Sequence, residues 1–150
     1  MYLYHLYKLM RTSKPYGLIE CGDNDASIRY FLDYYKDEIH TVDGNVAFWD
    51  HIEHKGAAAM LAVRDDGKIV LVRQYRNSLE KEILELPAGG LNPGEDTGVA
   101  AKRELEEETG YVAGTVEHLL TINTTVAFTN EKIFIYKATN LSEGEMHLDR

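Results

Sequence analysis

Seven consecutive apolar residues, Ala57 to Val63, constrain this 150-residue chain more than any other feature. An alternating strand can leave one face in water, but a continuous apolar run has to be covered on both faces, so it predicts an inner strand of a layered domain. Ile69 to Val72 is a second such run, and Asp65-Asp66-Gly67 between them reads as a turn, which together predict a core hairpin of two strands buried on both faces. The length suffices for one core of this kind. Cys21 is the single cysteine, so no internal disulfide staples the fold, and a reducing compartment is the expected home.

Other elements follow from local chemistry. Residues 38–42 and 46–54 flank Asp43-Gly44, a turn pair suited to a tight hairpin. A short strand at 83–86 leads into Pro87-Ala88-Gly89-Gly90, and 91–95 form a loop around Pro93-Gly94. A helix is predicted over 97–109: Asp96 or Thr97 can cap it, Val99, Ala100, Ala101 and Leu105 give it an apolar side, and Gly110 suits the left-handed residue that ends a helix. Strands are expected at about 115–122 and 132–138. Tyr2, Tyr4 and Tyr7 read as packing residues. His51 and His54, three apart on a strand, face opposite sides and are given no metal role.

Sixteen Lys and Arg against 25 Asp and Glu leave a formal charge of −9, which argues against nucleic acid or an anionic membrane as a partner. No apolar run approaches the roughly 18 residues of a membrane span. Met1 to Met10 lacks the continuous apolar stretch and cleavage site of a signal peptide, so a cytoplasmic location is expected. A polyanionic substrate would then need placed arginines or a divalent metal held by the excess carboxylates.

The 97–109 helix supplies such carboxylates. Glu104, Glu107 and Glu108 stand at i, i+3 and i+4, so their charges converge on one face and repel unless a cation joins them. Alone, such a run also reads as a solvated acidic face. Its surroundings decide: Gly89, five residues, Glu95, seven residues, then Arg103-Glu104-Leu105-Glu106-Glu107-Glu108-Thr109-Gly110-Tyr111 match the signature of the Nudix hydrolases at every polar and glycine position. Chance agreement of those fixed identities is on the order of 10⁻⁸ per starting point. Tyr111 departs from the pattern, standing where a bulky aliphatic is usual.

The resemblance implies an α+β chain with the Nudix fold, an α/β/α sandwich around a mixed sheet. Residues 56–150 would form that domain, and 1–55 would add a small strand element. It also implies Mg²⁺ or Mn²⁺ held by the Ala88 carbonyl and by Glu104, Glu107 and Glu108, a hard-oxygen set suited to those ions. Arg103 and Glu95 would pair and tie the loop to the helix. The implied reaction is attack of a metal-acidified water on one phosphorus of a nucleoside diphosphate linked to another group. Glu108 would handle the water; in some relatives a late loop does so, and Glu143, Glu145 and Asp149 are the acids available there.

A second pattern narrows the substrate. Gly56-Ala57-Ala58, Leu71-Val72-Arg73-Gln74-Tyr75-Arg76 and Leu84-Glu85-Leu86-Pro87-Ala88-Gly89 resemble the ADP-ribose pyrophosphatase branch over about residues 36–139. GDP-sugar and broad-specificity pyrophosphatases share several of these features. Arg76, at a strand end, is the candidate phosphate anchor, with a rim ion pair to Glu80 or Glu82 as the alternative. Phe48 and Trp49 are candidates for stacking on the base, and Phe128 and Glu131 remain from a loop motif whose Pro-Gly is here Val126-Ala127. The resemblance further implies a homodimer through residues 36–55, able to bring Phe48 or Trp49 to the partner's site, and a nucleoside diphosphate sugar as substrate. A non-catalytic nucleotide-binding regulator is the reading from another class. Because relatives continue into a strand and a helix after Leu148-Asp149-Arg150, a tail beyond residue 150 is expected to complete the cover of the sheet, with a helix around 26–35 or a partner chain as the alternatives.

Overall fold

The computed structural model describes Lys14–Pro15, residues 32–41 and residues 43–147. They divide into two compact units, one of the described residues up to 54 with 125–130 and one of 55–124 with 131–147.

In the first unit, β1 (Lys14–Pro15), β2 (Leu32–His40) and β3 (Val46–His54) form an antiparallel sheet in that order. The Asp43-Gly44 turn is as expected, with Gly44 at φ 85° and its N–H donating to the Thr41 carbonyl. Of residues 26–35, where a helix is the alternative cover for the sheet, 32–35 are strand, and the remainder lies outside the described residues. Residues 125–130 pack along the outer edge of β3, where the Ile52 N–H donates to the Phe128 carbonyl and the His54 N–H to Asn130 Oδ1.

The second unit holds a mixed four-stranded sheet. Its strands are β4 (Ala57–Ala62), β7 (Ala88–Gly90), β8 (Tyr111–Asn123) and β9 (Lys132–Glu143), in the order β7-β4-β9-β8 with β4 and β9 parallel. As its composition requires, β4 is an inner strand: Ala58, Ala59, Met60 and Ala62 are all buried. Helix α1 (Thr97–Thr109) packs Ala100, Ala101 and Leu105 onto Met60 and Ala138, and this cluster is the core. The described residues thus contain one helical layer of the two a full sandwich has.

Both helix ends are set locally. The Asp96 carboxylate accepts from the N–H groups of Gly98 and Val99, and Gly110, at φ 71°, donates to the Glu106 carbonyl. Val99, expected on the apolar side, is exposed, because the buried stripe runs through Ala100, Ala101 and Leu105.

The core hairpin is the main correction. Its turn forms, with Val63 paired to Ile69 and the Val70 N–H donating to the Ala62 carbonyl, but the pairing stops there, and Ile69 and Leu71 are 51% and 45% exposed. The chain instead leaves β4 and builds a separate two-stranded ribbon, β5 (Val72–Arg76) with β6 (Lys81–Glu85), around the turn Asn77–Leu79. One edge of β4 is taken along its length by β9, and β7 takes the other from Ala57 to Ala59, so the 69–72 run meets only the last residues of that edge. Pro87 ends β6 as expected, and Ala88–Gly90 then forms an edge strand against β4.

Candidate active site

The Glu-rich face of α1 and strand β7 build the site. Arg103 is its hub: Nε donates to Glu95 Oε1 at 2.9 Å and Nη2 to Glu95 Oε2 at 3.1 Å, while Nη1 donates to Glu104 Oε1 at 2.7 Å and Glu107 Oε2 at 2.8 Å. Nη2 also donates to the Gly90 carbonyl at 3.2 Å, so helix, loop and edge strand are tied together. Hydrogen bonds from Arg103, foremost, and from the Asn92 backbone lower the Glu95 carboxyl to about 2. Glu104 moves the other way: burial raises it, and the charges of Glu107 and Glu108 add to that against the pull of Arg103.

This arrangement yields a pH prediction. An unperturbed glutamate carboxyl titrates at 4.5, so the pairing of Glu95 stabilises the fold fully above that pH and is lost as pH falls toward about 2. Glu104, shifted upward, contributes oppositely, favouring the fold at low pH and losing that contribution as pH rises through its raised value. Denaturant unfolding from pH 7 to 2 should show stability falling across the Glu95 window, with a shallower fall in Glu95→Gln.

Glu108 is held elsewhere. Its Oε2 accepts the Ala88 N–H at 3.0 Å and its Oε1 accepts Gln74 Nε2 at 2.9 Å. The first bond follows from register: Met60 donates to the Pro87 carbonyl and Leu91 to the Gly56 carbonyl, which puts Ala88, opposite Ala59, at a non-hydrogen-bonded position of the β4–β7 pair. Both polar backbone groups of Ala88 therefore face outward along the same edge, the N–H toward Glu108 and the carbonyl beside it.

Gly89 makes room for Glu104. A Cβ there would stand 2.2 Å from the Glu104 carboxylate, whereas one at Gly90 would meet nothing within 4 Å. Among the described residues no three acidic, imidazole or thiol side chains surround one point. The donor set nevertheless fits a hard divalent cation in kind and charge. Glu104 and Glu107 already converge on one nitrogen of Arg103, a single guanidinium that also serves Glu95, and the outward Ala88 edge lies against Glu108.

Arg76 pairs neither with Glu80 nor with Glu82. It forks onto Glu85, Nε and Nη2 both reaching Oε2, at 2.9 and 2.6 Å. Those hydrogen bonds raise its pKa above the ordinary arginine value; the charges of Glu85 and Glu108 add to the effect and burial opposes it. Glu85, opposite Val72 in the ribbon, stands in the quoted sequence pattern without a role, and the diagonal reach of Arg76 back along its strand gives it one. With its Nε edge engaged, Arg76 can offer Nη1 to a phosphate. We expect Arg76→Ala to raise KM for the substrate about tenfold with kcat less affected, since an anchor away from the reacting phosphorus gives largely uniform binding. Steady-state kinetics check this, and a kcat loss at unchanged KM would move Arg76 to the reacting centre.

A cleft of about 450 Å³ opens beside Glu108, lined by Val70 to Gln74, Thr109, Tyr111 and Met146. Tyr111 thus borders the cleft as well as packing on the core. Of the late acids, Glu143 ends β9 opposite Tyr111, Glu145 is exposed next to His147, and Asp149 lies outside the described residues. The segment between them follows the end of α1, the His147 N–H donating to the Glu107 carbonyl. Glu131 accepts from the Thr124 hydroxyl at the start of β9.

Phe48 and Trp49 belong to the first unit. Both are 59% exposed on β3, and as neighbours on a strand they face opposite sides, so one base cannot lie between these two rings of one chain. Lys36 lies over the Phe48 ring, 5.8 Å from its centre. Phe128, also in this unit, is half exposed.

A mixed sheet carrying one capped helix, with an arginine-centred carboxylate cluster facing a glycine edge strand, defines a class. The NUDIX domain model matches residues 53–149, and the chain belongs to that family. It is 40% identical over 120 residues to an ADP-ribose pyrophosphatase of Bacillus subtilis, covering 79% of this chain and 65% of that protein. It is 44% identical over 109 residues to a methanol dehydrogenase activator of Bacillus methanolicus, covering 73% and 59%. An ADP-ribose pyrophosphatase of Mycobacterium tuberculosis is 38% identical over 109 residues, covering 72% and 53%. The chain therefore spans between about half and two thirds of the length of these curated relatives. The fold is shared with the crystal structure of an ADP compounds hydrolase at a TM-score of 0.72 and 22% identity, over 85% of this chain and 69% of that one.

Proposed function

We propose that this chain hydrolyses the pyrophosphate of ADP-ribose, or of a related nucleoside diphosphate sugar, to a nucleoside monophosphate and a sugar phosphate. The observation that carries the reading is the double restraint of the carboxylates: Glu104 and Glu107 on one nitrogen of Arg103, and Glu108 on the Ala88 N–H. Two curated relatives named ADP-ribose pyrophosphatase support the choice of substrate.

In this reading Glu104, Glu107, Glu108 and the Ala88 carbonyl hold Mg²⁺ or Mn²⁺. The ion, when bound, supplies neutralisation of the diphosphate oxygens and acidification of a water. Arg103, fixed by Glu95, keeps the carboxylates from springing apart, and Glu108 takes the proton of the attacking water. Arg76 binds a phosphate oxygen, and Phe48, Trp49 and Glu131 contact the remainder of the substrate. The protein acts in the cytoplasm as a homodimer, with residues 36–55 at the two-fold axis and Phe48 or Trp49 serving the partner's site.

Incubation with ADP-ribose, GDP-mannose and a nucleoside triphosphate, with and without Mg²⁺, tests the reaction; release of AMP from ADP-ribose only with metal is expected, and no turnover of either sugar nucleotide would reject it. Light scattering tests the dimer, and a 17 kDa species at micromolar concentration would count against it.

A further inference from the structure

Strand β5 presents Val72, Gln74 and Arg76 on one face. Arg76 has its partner in Glu85, but Gln74 reaches out of the ribbon altogether, across 34 positions of sequence, to Glu108 on the last turn of α1. The bond is 2.9 Å long and partly buried. A carboxylate only accepts, so the amide nitrogen has to face it. With the Ala88 N–H on the other oxygen at 3.0 Å, each oxygen of Glu108 has its own donor, and the two come from independent elements, an edge strand of the sheet and a separate ribbon. Two donors on two oxygens fix the plane of a carboxylate as well as its position, which one donor cannot do. Both donors are neutral, so they orient Glu108 without bringing a positive charge that would compete with a metal.

We propose that Gln74 is a positioning residue for Glu108, holding its carboxylate in the orientation in which it serves a bound divalent ion. This rests on the reading of Glu108 given above. Partners that orient a metal-binding side chain are typically worth 10- to 100-fold in metal affinity or activity. A merely structural tether between ribbon and helix would instead be read out in stability alone.

The test is Gln74→Met, which keeps the length and bulk of the side chain and removes the donor, with Gln74→Asn as a second variant that keeps the amide one methylene short. Mn²⁺ binding followed by electron paramagnetic resonance is the primary readout, with thermal unfolding and ADP-ribose kinetics beside it. In both variants Mn²⁺ affinity should fall about tenfold and kcat about tenfold or more, with KM within twofold and unfolding still cooperative. Mn²⁺ affinity equal to that of the parent, including absence of binding in all three proteins, would overturn the proposal. The Mn²⁺ comparison needs no substrate. A parent that turns over no sugar nucleotide therefore rejects the proposed reaction, while the difference in Mn²⁺ affinity still decides the role of Gln74.

Discussion

Glu108→Gln is expected to lower kcat by about a hundredfold or more while leaving the fold intact, because one carboxylate serving a metal and its water stabilises several kcal/mol of developing charge. The substitution is nearly isosteric, but it removes the charge. It also turns an amide NH₂ toward one of two groups that are themselves donors, the Ala88 N–H or Gln74 Nε2, so only one of the two present bonds can persist. The helix keeps its hold on the sheet, since Ala100, Ala101 and Leu105 form the apolar contact between them and Glu108 is outside that cluster. Kinetics with saturating Mg²⁺, alongside a thermal melt, check both halves. Undiminished turnover would remove Glu108 from the reaction.

Gly89→Ala is expected to be nearly as damaging to activity, about ten- to a hundredfold in kcat, at a cost in stability of under about 1 kcal/mol. The added Cβ would fall 2.2 Å from the Glu104 carboxylate, an overlap that has to be relieved. What yields is the end of a long side chain, so the backbone survives and Glu104 swings away from its neighbours. Gly89 does not have a positive φ, and alanine suits its strand conformation. Gly90→Ala is the control: a Cβ there meets nothing within 4 Å, and the carbonyl that accepts from Arg103 remains. Equal activity for the two variants would show that the space over Gly89 has no bearing on the site.

These glycines show how far sequence reasoning reaches. The motif marks Gly89 only as a glycine, and the structure gives the reason, room for the carboxylate of a residue on the helix. Gln74 and Glu85 both stand in the quoted pattern, yet nothing in their spacing points to Glu108 or to Arg76. The apolar run at Ile69–Val72 is legible as apolar, but not the exposure of Ile69 and Leu71, because composition does not say how much of the β4 edge β7 leaves open.

The sequence by itself determined what is short in range. Helix α1 and both of its caps, the Asp43-Gly44 turn, and the convergence of Glu104, Glu107 and Glu108 on one face all depend on bonds or spacings within a few residues, whose geometry the local chain dictates. Tertiary structure alone decided that Ala88 faces outward, that Gln74 reaches Glu108, that Arg76 forks onto Glu85, and that β5 pairs with β6 instead of returning along β4. Each of these depends on which strands meet and in what register. Several pairings satisfy the same alternation of residues, and only the packed sheet chooses between them.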